Sequence, residues 1–312
     1  MSTVPVYVGI DVAQETFDVA VHDGEYWTDR NDASGIADTT ARLQSLKPAL
    51  VVLEATGGLE RSLVRALDAV GIEPAVMNPS RIRAYAKALG HLAKTDKIDA
   101  RVIAHFAQAI RPTPRARRSA GDQELKDLLA RRGQLMGMIT AEKNRLYRAT
   151  PAIQVQIKDH IAWMEQQVAQ IDRDLSDRMA AEQKLQQRQQ QLCTVIGIGP
   201  YVSRTLIIDL PELGRLTGKQ VAALVGVVPF NRDSGKFTGK RFVTGGRPVV
   251  RTALFIAAMV AKRWNPVIKA LYDRLIKAGK CKKVAIVACA HKLLLIVNAM
   301  VRDGTFWQPV AA

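Results

Sequence analysis

The sequence predicts an α/β unit followed by mainly helical ones, and three observations predict it. Residues 1–115 alternate short apolar, strand-like runs with amphipathic helical stretches. Residues 116–191 keep a helical pattern over long spans, with no strand-like break. Residues 192–312 read as helical again, apart from a Gly-rich basic loop between about 229 and 248.

Taken in order, "VYVGIDVA" is an apolar run ending on Asp11, and "TFDVAVHD" follows closely enough to be its hairpin partner. "EYWTDRND" is a third, edge strand, and "SGIADTTARLQSLK" has helical periodicity starting at Ser34. "ALVVLEATGG" is a short buried strand ending at Glu54 and stopped by Gly57 and Gly58. "LERSLVRALDAVG" is an amphipathic helix closed by Gly71, and "EPAVMNP" is another strand. Pro79 opens a helix, and Asp96 opens one more that runs to Pro112. "RPTPRARRSAG" (111–121) has the Pro and Arg content of a linker. Two long helical patterns separated near Pro151 then describe a helical hairpin or coiled-coil arm. Its glutamine-rich end has few apolar positions, so it should be solvated or paired with another helix. The expected domains are therefore 1–115, 116–191 and 192–312.

With 312 residues, 48% hydrophobic and 24% charged, the composition is that of a globular protein. The N-terminus lacks a basic region followed by an apolar one, and the apolar stretch 284–300 is interrupted by His291 and Lys292. A buried helix fits that stretch better than a membrane span. The three cysteines, Cys193, Cys281 and Cys289, have no metal-ligand spacing and suit no disulfide framework, so the cytoplasm, near the nucleoid, is the expected compartment. Net charge is +16 but unevenly spread. Residues 1–115 hold 13 Lys/Arg against 14 Asp/Glu, residues 116–191 hold 13 against 10, and residues 192–312 hold 19 against 5. A net +14 in one segment points to a polyanion, most economically nucleic acid.

Asp11 and Glu54 each end an apolar strand pattern, where a carboxylate is costly without a partner. With those strands side by side, both carboxylates emerge at one rim of a sheet. Asp96 and Asp99, three residues apart on a starting helix, share one of its faces. Four converging carboxylates repel, and oxygen-only ligands suit Mg²⁺, or Mn²⁺, rather than zinc. Taken singly, each has a plainer role: Asp96 as an N-cap, Asp99 as a first-turn acid, Glu54 at a strand end.

"GIDVAQETFDVAV", "EATGG", "NPSRIRAYAKALGHLAKTDKIDAR", "IGIGP" and "FNRDSGKFTG" occur in this order. Together they resemble the DEDD-type insertion-sequence transposases, recombinases guided by a bridge RNA, over nearly the whole chain. The resemblance implies an RNase H/RuvC-like N-terminal domain, a coiled-coil arm and a C-terminal transposase domain. It places the family's acidic tetrad on Asp11, Glu54, Asp96 and Asp99, and its nucleophilic serine on Ser234. That serine would attack donor and target DNA through a covalent phosphoserine link. A homo-oligomer, dimer or tetramer, is the expected assembly.

From local sequence alone Ser234 is an ordinary loop residue, with no base marked by spacing. Around it Lys236, Lys240, Arg241, Arg247 and Arg251 are candidate phosphate contacts. In "VIGIGPYVSRTLI", Gly197 and Gly199 resemble a helix-hairpin-helix turn whose amides approach phosphate. The rival reading is a metal-dependent nuclease or junction resolvase of the same fold in which Ser234 is a bystander. An actin-like ATPase is disfavoured because Val12, Ala13 and Gln14 follow Asp11 where a phosphate loop needs glycine and hydroxyls. A non-catalytic nucleic-acid binder would leave the carboxylates without a role.

Overall fold

Two apolar runs, Tyr7–Val12 (β1) and Thr16–Val21 (β2), form an antiparallel hairpin with Asp11 opposite Asp18, and Tyr26–Arg30 (β3) adds an edge strand to β2. The computed structural model describes residues 5–90, 96–114, 120–229, 233–234, 237–239 and 242–308. It divides into two compact units, residues 1–117 and 118–312.

In the first unit, Ala33–Leu46 (α1) is capped by Asp32, whose side chain accepts from the Gly35 amide at 2.9 Å. The start expected at Ser34 thus lies two residues earlier, at another good capping side chain. Leu50–Glu54 (β4) pairs in parallel with β1, Arg61–Ala69 (α2) follows, and Ala75–Met77 (β5) pairs in parallel with β4. Pro79–Ala88 (α3) and Asp96–Ile110 (α4) complete the unit. The sheet order β3-β2-β1-β4-β5 is mixed, as an RNase H-like domain requires. One sheet face buries Val8, Ile10, Val51 and Leu53 with Leu43 of α1 and Leu63 and Leu67 of α2. The other carries Tyr7, Val52 and Met77, packed with Val102, Ile103 and Phe106 of α4.

In the second unit, Ala120–Leu146 (α5) and Pro151–Ala181 (α6) form the arm. α6 buries Ile161, Met164, Val168, Ile171, Leu175 and Met179 at three- and four-residue steps, the spacing of a coiled-coil seam. Lys143–Glu165 at 2.8 Å, Arg132–Asp172 at 2.9 Å and Arg178–Glu124 tie the helices antiparallel. Gln183–Cys193 (α7) ends the glutamine-rich stretch. There the buried Gln191 amide donates to the Met300 and Thr305 carbonyls at 2.8 and 2.6 Å.

Pro200–Asp209 (α8) and Gly218–Val225 (α9) precede a small hairpin, Asp233–Ser234 (β6) with Phe237–Thr238 (β7). Pro248–Trp264 (α10), Pro266–Lys277 (α11) and Lys282–Asp303 (α12) close the chain. Among the described residues α12 is the one helix long and apolar enough to cross a membrane. Here it buries Ile286, Cys289, Leu293, Leu294 and Val297 in the core it shares with α10, as the His291 and Lys292 interruption suggested. The same core continues into the arm, where Asp172 accepts from both Arg132 and the buried Arg204 of α8 at 2.9 Å.

Candidate active site

Parallel pairing brings the first two carboxylates together. The β1–β4 register runs Tyr7–Leu50, Val8–Val51, Gly9–Val52, Ile10–Leu53, so Asp11 and Glu54 are the next step on adjacent strand ends. Both stand two residues beyond positions that face α4, and side chains alternate along a strand, so both lie on the α4 face. The helix sits unusually close. A Cβ on Gly9 would lie 2.1 Å from the Ala104 nitrogen and 2.5 Å from the Ala100 oxygen. Glycine is what permits this backbone-to-backbone approach.

Gly9 lies beneath Ala100–Ala104, and Tyr7 lies under Arg111, whose guanidinium is 5.5 Å from its ring centroid. α4 therefore runs against β1, and its first turn, which carries Asp99, is at the strand end that carries Asp11 and Glu54. Asp96 is the first residue of that helix; its side chain lies outside the described residues.

The loop after Glu54 is built to hold the strand end. Gly57 and Gly58 take φ of 65° and 106°, which other residues resist. The Glu60 carboxylate folds back to accept from the Thr56 and Gly58 amides at 3.0 and 2.9 Å.

Sequence reasoning missed Asp18. It is 6% exposed, it pairs with Asp11 across the hairpin, and it therefore adds a carboxylate to the same face. Its Oδ1 accepts from the Tyr26 hydroxyl and, at 2.5 Å, from Thr28 Oγ1. The signal available was a charged residue inside an apolar strand pattern, "TFDVAV", but its alignment with Asp11 needed the register.

All of these donors are carboxylate oxygens, which fit a hard divalent cation. Among the described residues no group of three or more His, Cys, Asp or Glu side chains is gathered closely enough to hold an ion by itself. A cleft of about 580 Å³ in this unit lies elsewhere, lined by Val21, His22, Leu89, Arg101 and His105, and none of the candidate carboxylates lines it.

In the second unit Ser234 is exposed, and its backbone pairs with Phe237 in the β6–β7 hairpin. Lys236, Lys240 and Arg241 lie outside the described residues. The base of this loop is a clasp of glycines. A Cβ on Gly246 would lie 2.4 Å from the Gly226 nitrogen, and one on Gly226 would lie 2.4 Å from the Gly245 oxygen. Arg251 of α10 reaches across the clasp and donates to the Gly245 carbonyl at 2.5 Å and the Gly226 carbonyl at 3.4 Å. Arg247 pairs with both Glu212 oxygens at 2.5 and 2.6 Å and donates to the Asp209 carbonyl at 2.7 Å. Arg251 thus holds the loop's own backbone, and Arg247 anchors the loop's end to the segment after α8.

Gly197 and Gly199 lie in the turn between α7 and α8, in different surroundings. Gly197, at φ 105°, is pressed against α10, where a Cβ would lie 2.8 Å from the Ala257 oxygen. Gly199 caps α8 with open space around it.

A family model described as a transposase, of DEDD type and IS110, matches residues 8–150. A second, for the transposase IS116/IS110/IS902 family, matches residues 189–273. The pilin gene-inverting protein of Moraxella lacunata is 27% identical over 309 residues, covering 96% of each chain, and its counterpart in Moraxella bovis is equally similar. The insertion element IS900 uncharacterized 42 kDa protein of Mycobacterium paratuberculosis is 24% identical over 300 residues, covering 92% of this chain and 74% of its own.

Proposed function

We propose, given that this chain belongs to the IS116/IS110/IS902 family of transposases, that Asp11, Glu54, Asp96 and Asp99 hold a divalent cation and that Ser234 is its nucleophile toward DNA. The chain is a DNA transposase/recombinase. A DEDD-type domain implies dependence on a divalent ion, which Mg²⁺ or Mn²⁺ would satisfy here. The observation that carries the reading is the parallel β1–β4 pair, which puts Asp11 and Glu54 side by side at the end of α4 where Asp99 stands.

When bound, such an ion supplies Lewis-acid stabilisation of the charge that develops on phosphoryl oxygens. The protein's own part is to fix four carboxylates on rigid elements, two on strands and two on one helix. Ser234 Oγ loses its proton and bonds to phosphorus, and the bond from phosphorus to the leaving deoxyribose oxygen breaks, that oxygen taking up a proton. One phosphodiester replaces another, so the bond energy is kept for rejoining. Inversion of a gene, the act named for the Moraxella relatives, needs rejoining as well as cutting. That favours strand exchange over the rival nuclease or junction resolvase, in which Ser234 plays no part.

Target choice through a bridge RNA, and a dimeric or tetrameric assembly on donor and target DNA, belong to the same proposal. The concentration of charge in residues 192–312 supports it, because guided recognition asks the protein for charge and shape more than base-reading side chains.

The test is Ser234→Ala beside Asp11→Ala on a supercoiled substrate with Mg²⁺. Strand transfer and the covalent protein–DNA adduct should vanish in both. Cleavage that persists in Ser234→Ala without an adduct establishes the nuclease reading instead.

A further inference from the structure

The positive charge of residues 192–312 is not evenly available. Arg204 is buried against Asp172, Arg247 is engaged by Glu212, Lys269 pairs with Asp273 at 2.8 Å, and Arg302 pairs with Asp303 at 2.8 Å. The turn from α11 into α12 is different. Arg274, Lys277, Lys280, Lys282 and Lys283 are all exposed, and no acidic residue lies between positions 274 and 283. Among the described residues none of the five forms an ion pair, in contrast to the cations just named.

The placement of Lys282 and Lys283 also runs against folding. α11 ends at Lys277, the chain reverses at Gly279 with φ 76°, and Cys281 starts α12 without a side-chain cap. Lys282 and Lys283 then occupy the first turn of a 22-residue helix that has no acid there. Cations at that end oppose the helix dipole, whereas Arg274 and Lys277 in the last turn of α11, like Lys262 and Arg263 in that of α10, complement theirs. Five like charges within ten residues repel one another besides. A polyanion laid over the turn relieves both penalties at once.

We propose that the α11–α12 turn, through Arg274, Lys277, Lys280, Lys282 and Lys283, docks the phosphate backbone of double-stranded DNA. DNA is the occupant because the chain is a DNA transposase/recombinase, and backbone contact asks for clustered cations rather than base-reading forks. The site does not depend on the chemistry at Ser234.

The experiment titrates a 30-base-pair duplex with the full-length protein by fluorescence anisotropy across a KCl series. It compares the parent with Lys280→Gln/Lys282→Gln/Lys283→Gln, and with a charge-matched control, Lys87→Gln/Lys158→Gln/Lys184→Gln. Each phosphate contact contributes about 0.9 to the slope of log affinity against log salt, so the turn variant should lose roughly 2.7 and bind at least about tenfold more weakly near 150 mM salt. The control should keep the parental slope. In a Cys193→Ser background, a photoreactive maleimide on the exposed Cys281 should cross-link the duplex. An unchanged slope in the turn variant, an equal loss in the control, or saturating binding without a cross-link at Cys281 overturns the proposal. So does a loss confined to a structured RNA probe, which assigns the turn to RNA.

Discussion

Replacing Gly9 by alanine tests how closely α4 must sit on the sheet. The added methyl would lie 2.1 Å from the Ala104 nitrogen, 2.5 Å from the Ala100 oxygen and 2.6 Å from the Ile103 carbonyl carbon. Ordinary contact begins near 3.4 Å, so the worst overlap exceeds 1 Å. All three atoms are backbone, so no rotamer change relieves it, and α4 must lift. Overpacking of this kind costs about 1–3 kcal/mol, and three backbone clashes place Gly9→Ala at ~3 kcal/mol. For a unit of this size that is a drop of roughly 10–20 °C in melting temperature. On the proposed assignment of Asp11 and Asp99 to one cation, lifting α4 also carries Asp99 away from Asp11, and a shift of about 1 Å there costs on the order of 10²-fold in rate.

The assay is calorimetry of the full chain, read at the transition of the first unit, with strand cleavage measured at a temperature where that unit is folded. Gly133→Ala is the control. Its new methyl meets nothing within 4 Å inside α5, so it should stabilise by up to about 1 kcal/mol. A Gly9→Ala protein that melts within about 2 °C of the parent and cleaves normally would refute the reasoning, because the sheet–helix contact would then be loose.

Asp172→Ala leaves Arg204, 6% exposed, without its carboxylate, and should cost about 3–5 kcal/mol, seen as a lower urea midpoint for the second unit. Burial pushes the Cys289 thiol up to about 11, so iodoacetamide at pH 8 should modify the exposed Cys193 and Cys281 in the native protein and reach Cys289 only on unfolding, as mass spectrometry will count. Burial lowers the pKa of His291 beneath 6.5, so the unfolded chain takes up that proton more readily. Its contribution is therefore intact above pH 6.5 and is lost as pH falls through 6.5 toward the folded value, and His291→Leu should flatten that part of the melting-temperature profile between pH 8 and 5.

The first unit was legible because its signals are local. The run ending on Asp11, the closely following "TFDVAV" and the Gly57–Gly58 stop after Glu54 each specify an element within ten residues of chain. That the Asp11 and Glu54 strands lie side by side was a condition of the reading, and the parallel register supplies it. What escaped notice depends on register or distant partners. Asp18 looks like any polar residue in an alternating strand until it is found opposite Asp11. Arg247 reads as a free loop cation because Glu212 lies 35 residues earlier. Gly197 reads as a phosphate-facing glycine, yet the constraint on it is the Ala257 carbonyl on a helix sixty residues on.

The same distinction separates the arginines of the second unit from its lysines. Arg204 and Arg247 use two nitrogens each, on carboxylate, hydroxyl or carbonyl oxygens, and Arg251 spans two carbonyls with one. A planar fork with five donors suits such fixed, multiple contacts, and an ammonium does not. Their charge is spent on fixing the serine loop and joining the arm to the core. Lys277, Lys280, Lys282 and Lys283 have the opposite character: mobile point charges on long stems, exposed and crowded. A surface that meets phosphates in many registers needs that tolerance. Charge at the start of α12 is therefore more available to a polyanion than that of Arg204 or Arg247, and binding there should respond to salt.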